Sequence, residues 1–299
     1  MAKRPVDELA CRILAQERAA TTEALRGVLK AYSDPIPGTP RARDLAWLDG
    51  REHAEELGGL LNVAVHDAAQ ILHAAREHVL ALEAVLSAGN MLPVPSMTLG
   101  RAVLESVLYV CWLADPNLAP AQRVARAAAM SLASAQGGHE ALAAFPNPPD
   151  GEAERAHEGF NGMQRLFEQY GLTVSRRRGT DYAVSVGCDG ESAPLRVNVT
   201  AESQRYAPGN HYLWVTGSGA THSRVWFTRG LEGPWADLVV MVVAPLLDVV
   251  DALIDNAFGY VGLDPAGVHA KTHLRRTALL TRPSPPPLRR PCRPRCGYR

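Results

Sequence analysis

Arg101-Ala-Val-Leu-Glu105-Ser-Val-Leu-Tyr-Val-Cys-Trp112-Leu-Ala-Asp115-Pro116 reads as an apolar helix carrying two charges on one face. Arg123-Val-Ala-Arg126 follows within a second helix that opens with arginines. Charges on such apolar helices must be paired, so the segment predicts a buried polar cluster between packed helices. Ser96 is a suitable N-cap for the first helix, and Asp115-Pro116 ends it.

Working outward, helical periodicity dominates. Residues 6–32 carry Leu9, Ile13, Leu25 and Leu29 at helical spacing, until Asp34-Pro-Ile-Pro-Gly-Thr-Pro40 stops them. Residues 52–88 form the longest helical stretch, with Val63, Ile71, Leu72, Val79, Leu82 and Leu86 as the expected buried stripe. Helices follow over 120–135 and 151–170, with Gly137-Gly138 and Pro146-Asn-Pro-Pro149 marking the loop between them. From Leu172 the character changes. Thr173–Ser175, Tyr182–Val186 and Leu195–Val199 are β-like, with glycines as turn material. Helix returns over 211–219, 234–257 and 265–280. The expected fold is mainly α: an antiparallel helical bundle over residues 1–280 with a small β-hairpin insert at about 172–200, and a disordered C-terminal tail over 281–299. In that tail six prolines and six arginines fall in nineteen residues.

Composition narrows the classes. Aromatics make up 6% of the 299 residues, which favours helices over an all-β plan. From Lys271 onward there are nine Lys or Arg and no acidic residue, so a net charge of zero divides into a body at −9 and a tail at +9. An acidic body is a poor general nucleic-acid binder, while the basic tail can contact polyanions. Five scattered cysteines make no disulfide framework, and the N-terminus leads into no apolar signal core. A cytoplasmic protein with reduced thiols is expected. The strongest apolar run, Leu238–Leu247, is about half the ~20 residues a membrane span needs, so no span is expected. The sequon Asn198-Val-Thr200 is read as chance.

The same segments carry a resemblance. Arg101 and Glu105, Trp112–Pro116, Arg123 and Arg126, and Tyr212-Leu-Trp-Val-Thr-Gly-Ser218-Gly-Ala-Thr-His222 resemble a pattern in uncharacterised actinobacterial helical proteins. In that group an Arg-x-x-x-Glu helix ends in a Trp-Leu-x-Asp-Pro-like turn, an Arg-Val-x-Arg helix follows, and a Tyr-x-x-x-Ser-x-x-x-His segment comes later. Tyr212 and Ser218 depart from this by being six apart. The resemblance implies a mostly helical bundle and brings no activity. HEPN helical domains are a more distant likeness. Their ribonuclease signature is Arg, four residues, then His, and none of the ten histidines here has Arg five positions before it.

Two function classes lead, with a metal-binding bundle as a third and weaker one. In the first the protein is a binding or scaffold protein whose polar cluster of Arg101, Glu105, Arg123, Ser218 and His222 is structural or holds a small anionic ligand. In the second it is a nucleic-acid-directed enzyme of defence or toxin–antitoxin type, with Glu105 and His222 as the acid–base pair. The structural assignment of these residues is preferred, because ion-pair networks perturb charges without being active sites. Gly217-Ser-Gly is not a Gly-x-Ser-x-Gly nucleophile elbow. His66, His73, His78 and Glu77, with a lone Glu154-x-x-His157, fall short of a di-metal bundle, so no metal or cofactor is implied. Cys292-x-x-x-Cys296 lacks zinc spacing, and Arg176–Arg178 reads as a solvated hairpin tip. Partners are left open, with a homo-oligomer among the possibilities.

Overall fold

The structure, a computed structural model, describes residues 5–88, 92–229 and 235–281. The basic Pro/Arg-rich tail lies outside the described residues from 282 onward. The elements run α1(Pro5–Ser33), α2(Pro40–Leu48), α3(Ala54–Ser87), α4(Pro93–Ala114), α5(Pro120–Ala143), α6(Glu152–Gln169), β1(Thr173–Arg176), β2(Ala183–Cys188), β3(Glu191–Pro194), α7(Val199–Tyr206), a 3-10 turn at Pro208–Asn210, α8(His211–Thr221), α9(Val225–Arg229), α10(Trp235–Val261) and α11(Ala266–Leu280). The protein is a mainly α bundle with a small three-stranded antiparallel sheet, as the periodicity predicts.

α4 is the central helix. It packs against α3, α8 and α10, and Val103, Leu104, Val107, Leu108 and Cys111 are buried along it. It is long and apolar enough to cross a membrane by length and composition alone, but over half of that apolar window is buried inside the bundle. A second apolar cluster joins α5 and α6 to the sheet, with Phe160, Phe167 and Val186 at its centre. α3 contributes to both clusters, through Leu82 and Leu86 in one and Leu57 and Leu61 in the other.

The structure corrects several boundaries. Pro40 does not only close the Pro-rich turn. Thr39 accepts a hydrogen bond from the Ala42 N–H, and Pro40, at the first helical position, starts α2. α4 begins at Pro93, with Leu92 as its N-cap, which puts Ser96 inside the first turn. Gly137 and Gly138 lie within α5, exposed and clear of other atoms, because flanking alanines and the packing of α5 on α6 outweigh ~1 kcal/mol of glycine propensity each. Val63 and Leu29 are exposed rather than part of the buried stripes. The third strand is Glu191–Pro194, not Leu195–Val199. Asp189 and Gly190, both at positive φ, make a two-residue turn that returns the chain at once, with Cys188 opposite Glu191. Asn198 then caps α7 by accepting from the Ala201 N–H, so the sequon asparagine is a helix start.

α10 carries Pro245 in its interior. The missing N–H frees the Met241 carbonyl, and the Tyr212 hydroxyl of α8 donates to it at 3.2 Å.

Candidate functional site

Among the described residues, two polar groups and the cavity inside the bundle compete for function. The first group is built where α4 ends. Asp115-Pro116 stops α4, Pro120 opens α5, and the chain reversal aims the first turn of α5 at the open carbonyls of α4. Arg123 Nη1 donates to Leu113 O at 3.1 Å and to Asp115 O at 3.0 Å, and Arg126 Nη1 donates to Trp112 O at 2.5 Å. Cations at a helix C-terminus also meet the negative end of its dipole. Arg123 Nε lies 2.9 Å from Asp44 Oδ2, an ion pair with 3% and 1% of its side chains exposed. Tyr260 donates its hydroxyl to the same oxygen at 2.8 Å, and the Arg123 guanidinium lies 4.2 Å above the Tyr260 ring. Burial pushes the Asp44 carboxyl up, against the pull of Arg123 and Tyr260. Burial and the Asp44 charge raise the Tyr260 hydroxyl.

Next to this joint the Asp115 carboxylate is fully engaged. Oδ1 accepts from the backbone and side chain of Asn117, and Oδ2 from Tyr206 and Arg205. Burial works to raise this carboxyl, but those donors outweigh it and hold it below the ordinary carboxylate value.

The second group is the α4–α8 face. Arg101 and Glu105 are half-buried and 3.8 Å apart, and the Arg101 guanidinium stacks 4.1 Å above Trp214. Gly217 makes this approach possible: a Cβ there would fall 2.5 Å from Arg101 Cβ and 3.0 Å from Met97 O. α8 runs antiparallel to α4. Its leading end follows α7, whose Arg205 reaches Asp115 at the C-terminal end of α4, while Gly217 already faces Met97. Glu105 and His222 therefore lie in opposite directions from the Arg101–Gly217 crossing. His222 is exposed at the C-cap of α8, and its N–H donates to Ser218 O. The Thr221 hydroxyl is spent on Gly217 O and does not orient the imidazole.

The five residues singled out in the sequence thus divide into three places. Arg101 and Glu105 meet, Arg123 belongs to the joint at the end of α4, and Ser218 and His222 lie at the far end of α8. The histidine on the Trp214 face is His211, three residues earlier, whose Nδ1 is 2.7 Å from Ser203 Oγ. Among the described residues no group of three or more His, Cys, Asp or Glu is placed to hold a metal ion. Arg176, rather than being a free hairpin tip, pairs with Glu168 at 2.8 Å.

The cavity was not visible in the sequence. It encloses about 400 Å³ between α1, α3, α4, α5 and α10, within the range of small-molecule sites. Short side chains create it. Ala64, Val65, Ala68 and Ala75 of α3 face Val103, Val107 and Val110 of α4, and none is long enough to fill the space between. Tyr32, Arg123 and Tyr260 close one end. The run of alanines on the inner face of α3 was the one available signal. No family model, curated protein or solved structure matches this chain.

Proposed function

We propose that this protein is a non-enzymatic binding protein that holds an apolar small molecule in the cavity between α1, α3, α4, α5 and α10. The observation that carries this reading is a cavity of about 400 Å³ within the bundle, lined mainly by aliphatic side chains. Sites between the helices of a bundle are a common place for apolar ligands. The polar groups support a structural role for themselves. Both terminal nitrogens of Arg123 go to backbone carbonyls, so it has little left to offer a substrate. Cys11, Cys111 and Cys188 are free thiols, which supports a reducing, cytoplasmic setting.

The test is titration with the neutral, apolar fluorophore N-phenyl-1-naphthylamine. Saturable one-to-one binding with a blue-shifted emission is expected, and Ala68→Trp, which fills the void, should abolish it while the far-UV helical signal is kept. Absence of saturable binding by the unaltered protein would end this reading.

A further inference from the structure

The mouth of the cavity is a slit between α1 and α3. On those two helices several lining residues are exposed, among them Thr22, Arg26, His73 and Arg76, whereas the lining residues of α4, α5 and α10 are buried or half-buried. The slit is latched at both ends. At one end Arg18 donates to both carboxylate oxygens of Glu83, at 3.1 and 3.3 Å. At the other the Tyr32 hydroxyl donates to Asn62 Oδ1 at 2.9 Å. The latches are 14 residues apart on α1 and 21 on α3, which spans about 21 to 32 Å at 1.5 Å rise per residue. An opening of that shape admits an extended chain edge-on.

Its rim charges are nearly all matched. Arg18 pairs with Glu83, Arg26 with Glu23 at 2.8 Å, and His73 lies 3.4 Å from Glu77. Glu17, the one acidic lining residue among those described, is taken up by Thr272 at 2.9 Å and Arg275 at 2.7 Å. Arg76 is the exception. It lines the cavity, its side chain is exposed, and among the described residues it has no ion-pair or hydrogen-bond partner. From the facing helix, Thr21 presents a buried hydroxyl oxygen that also has no hydrogen-bond partner. A guanidinium at the edge of an apolar slit lays its stem along the wall and offers its N–H fork to an oxyanion.

Resting on the binding reading above, we infer that the ligand is an amphipathic carboxylate, with its acyl chain along the α1–α3 slit and its carboxylate at Arg76. A neutral head group gains no charge-assisted hydrogen bond there, and a cationic one meets an unmatched like charge.

The experiment compares three molecules with the same chain, dodecanoate, dodecanol and dodecyltrimethylammonium, by isothermal titration calorimetry below their aggregation concentrations. Dodecanoate should bind about tenfold more tightly than dodecanol, the scale of one solvent-exposed charge-assisted hydrogen bond, and the ammonium compound should bind most weakly. Arg76→Ala should remove the advantage of dodecanoate over dodecanol, while Arg76→Lys should keep part of it. Because Arg76 makes no ion pair or hydrogen bond among the described residues, thermal denaturation of Arg76→Ala should match the unaltered protein. Equal binding of dodecanoate and dodecanol, or an advantage that survives Arg76→Ala, would overturn the carboxylate assignment and leave the apolar cavity standing. Failure of all three to bind, with Ala68→Trp indistinguishable from the unaltered protein, would remove the cavity reading itself.

Discussion

The joint at the end of α4 and the face in its middle use the same chemistry in opposite ways. At the joint, Asp44, Arg123 and Tyr260 are sealed from water, and Arg123 pairs with Asp44 and donates to three backbone carbonyls. On the face, Arg101 and Glu105 approach only to 3.8 Å, and the contact that matters is the stacking of Arg101 on Trp214. A sequence reader gives both the same weight, since each is an arginine and a carboxylate near an apolar helix. The difference is desolvation: a buried charge must keep its partner, whereas a half-exposed one is solvated when the partner is lost.

That contrast is open to direct attack. The largest effect is expected from Asp44→Ala, which orphans the Arg123 guanidinium and should cost about 3–5 kcal/mol in chemical denaturation. The double substitution Asp44→Leu with Arg123→Met should recover much of that loss, although the α4 carbonyls then lose their donors. A loss below ~1 kcal/mol for Asp44→Ala would mean that the joint is no tighter than a surface pair. Gly217→Ala comes next. Helix propensity favours alanine, yet the new methyl would lie 2.5 Å from Arg101 Cβ, so about 1–3 kcal/mol of destabilisation is expected. Gly137→Ala is its control, because nothing lies within 4 Å of the added carbon, and a gain of about 0.5–1 kcal/mol is expected.

A smaller effect, confined to one pH window, should come from His269 of α11. Its Nδ1 lies 2.8 Å from Asp251 and its Nε2 2.6 Å from Asp255 of α10, and only the imidazolium can donate to both. Burial works against the charged form, but the two carboxylates outweigh it and raise its pKa. Its contribution is therefore complete below the ordinary histidine value of about 6.5 and is lost as pH rises through the raised folded value. Thermal melts should show Tm falling across that window, and His269→Ala should flatten the fall. The smallest effect belongs to Glu105→Ala, within about 0.5 kcal/mol, since the pair it breaks is loose and partly solvated. A loss of several kcal/mol there would erase the distinction between the two regions.

Much of the bundle was legible because its signals are local. The helical spacing of apolar positions on α1 and α3 and the Asp115-Pro116 stop each act over one or two turns. α2 and α7 were missed for an equally local reason: the Thr39-Pro40 and Asn198 starts were read as a turn and a strand. The Gly-rich approach of α8 was visible at Gly217, but not the surface it approaches. The site was far less legible. Arg123 and Asp44 are 79 positions apart in the chain, and no spacing rule connects them. His222, an acid–base candidate only in the second function class, is carried away from Glu105 by helix direction.

The sequence by itself determined that this is a mainly α protein, where most helices lie, and that α4 must bring charges into contact with apolar surface. Periodicity and helix-terminal chemistry are written in neighbouring residues, so no tertiary information is needed for them. Only the tertiary structure decided which arginine is sealed and which is half-open, and that the alanines of α3 face valines across an unfilled space. Pairing and voids depend on the distance between surfaces contributed by remote segments, which the order of residues along one helix does not encode.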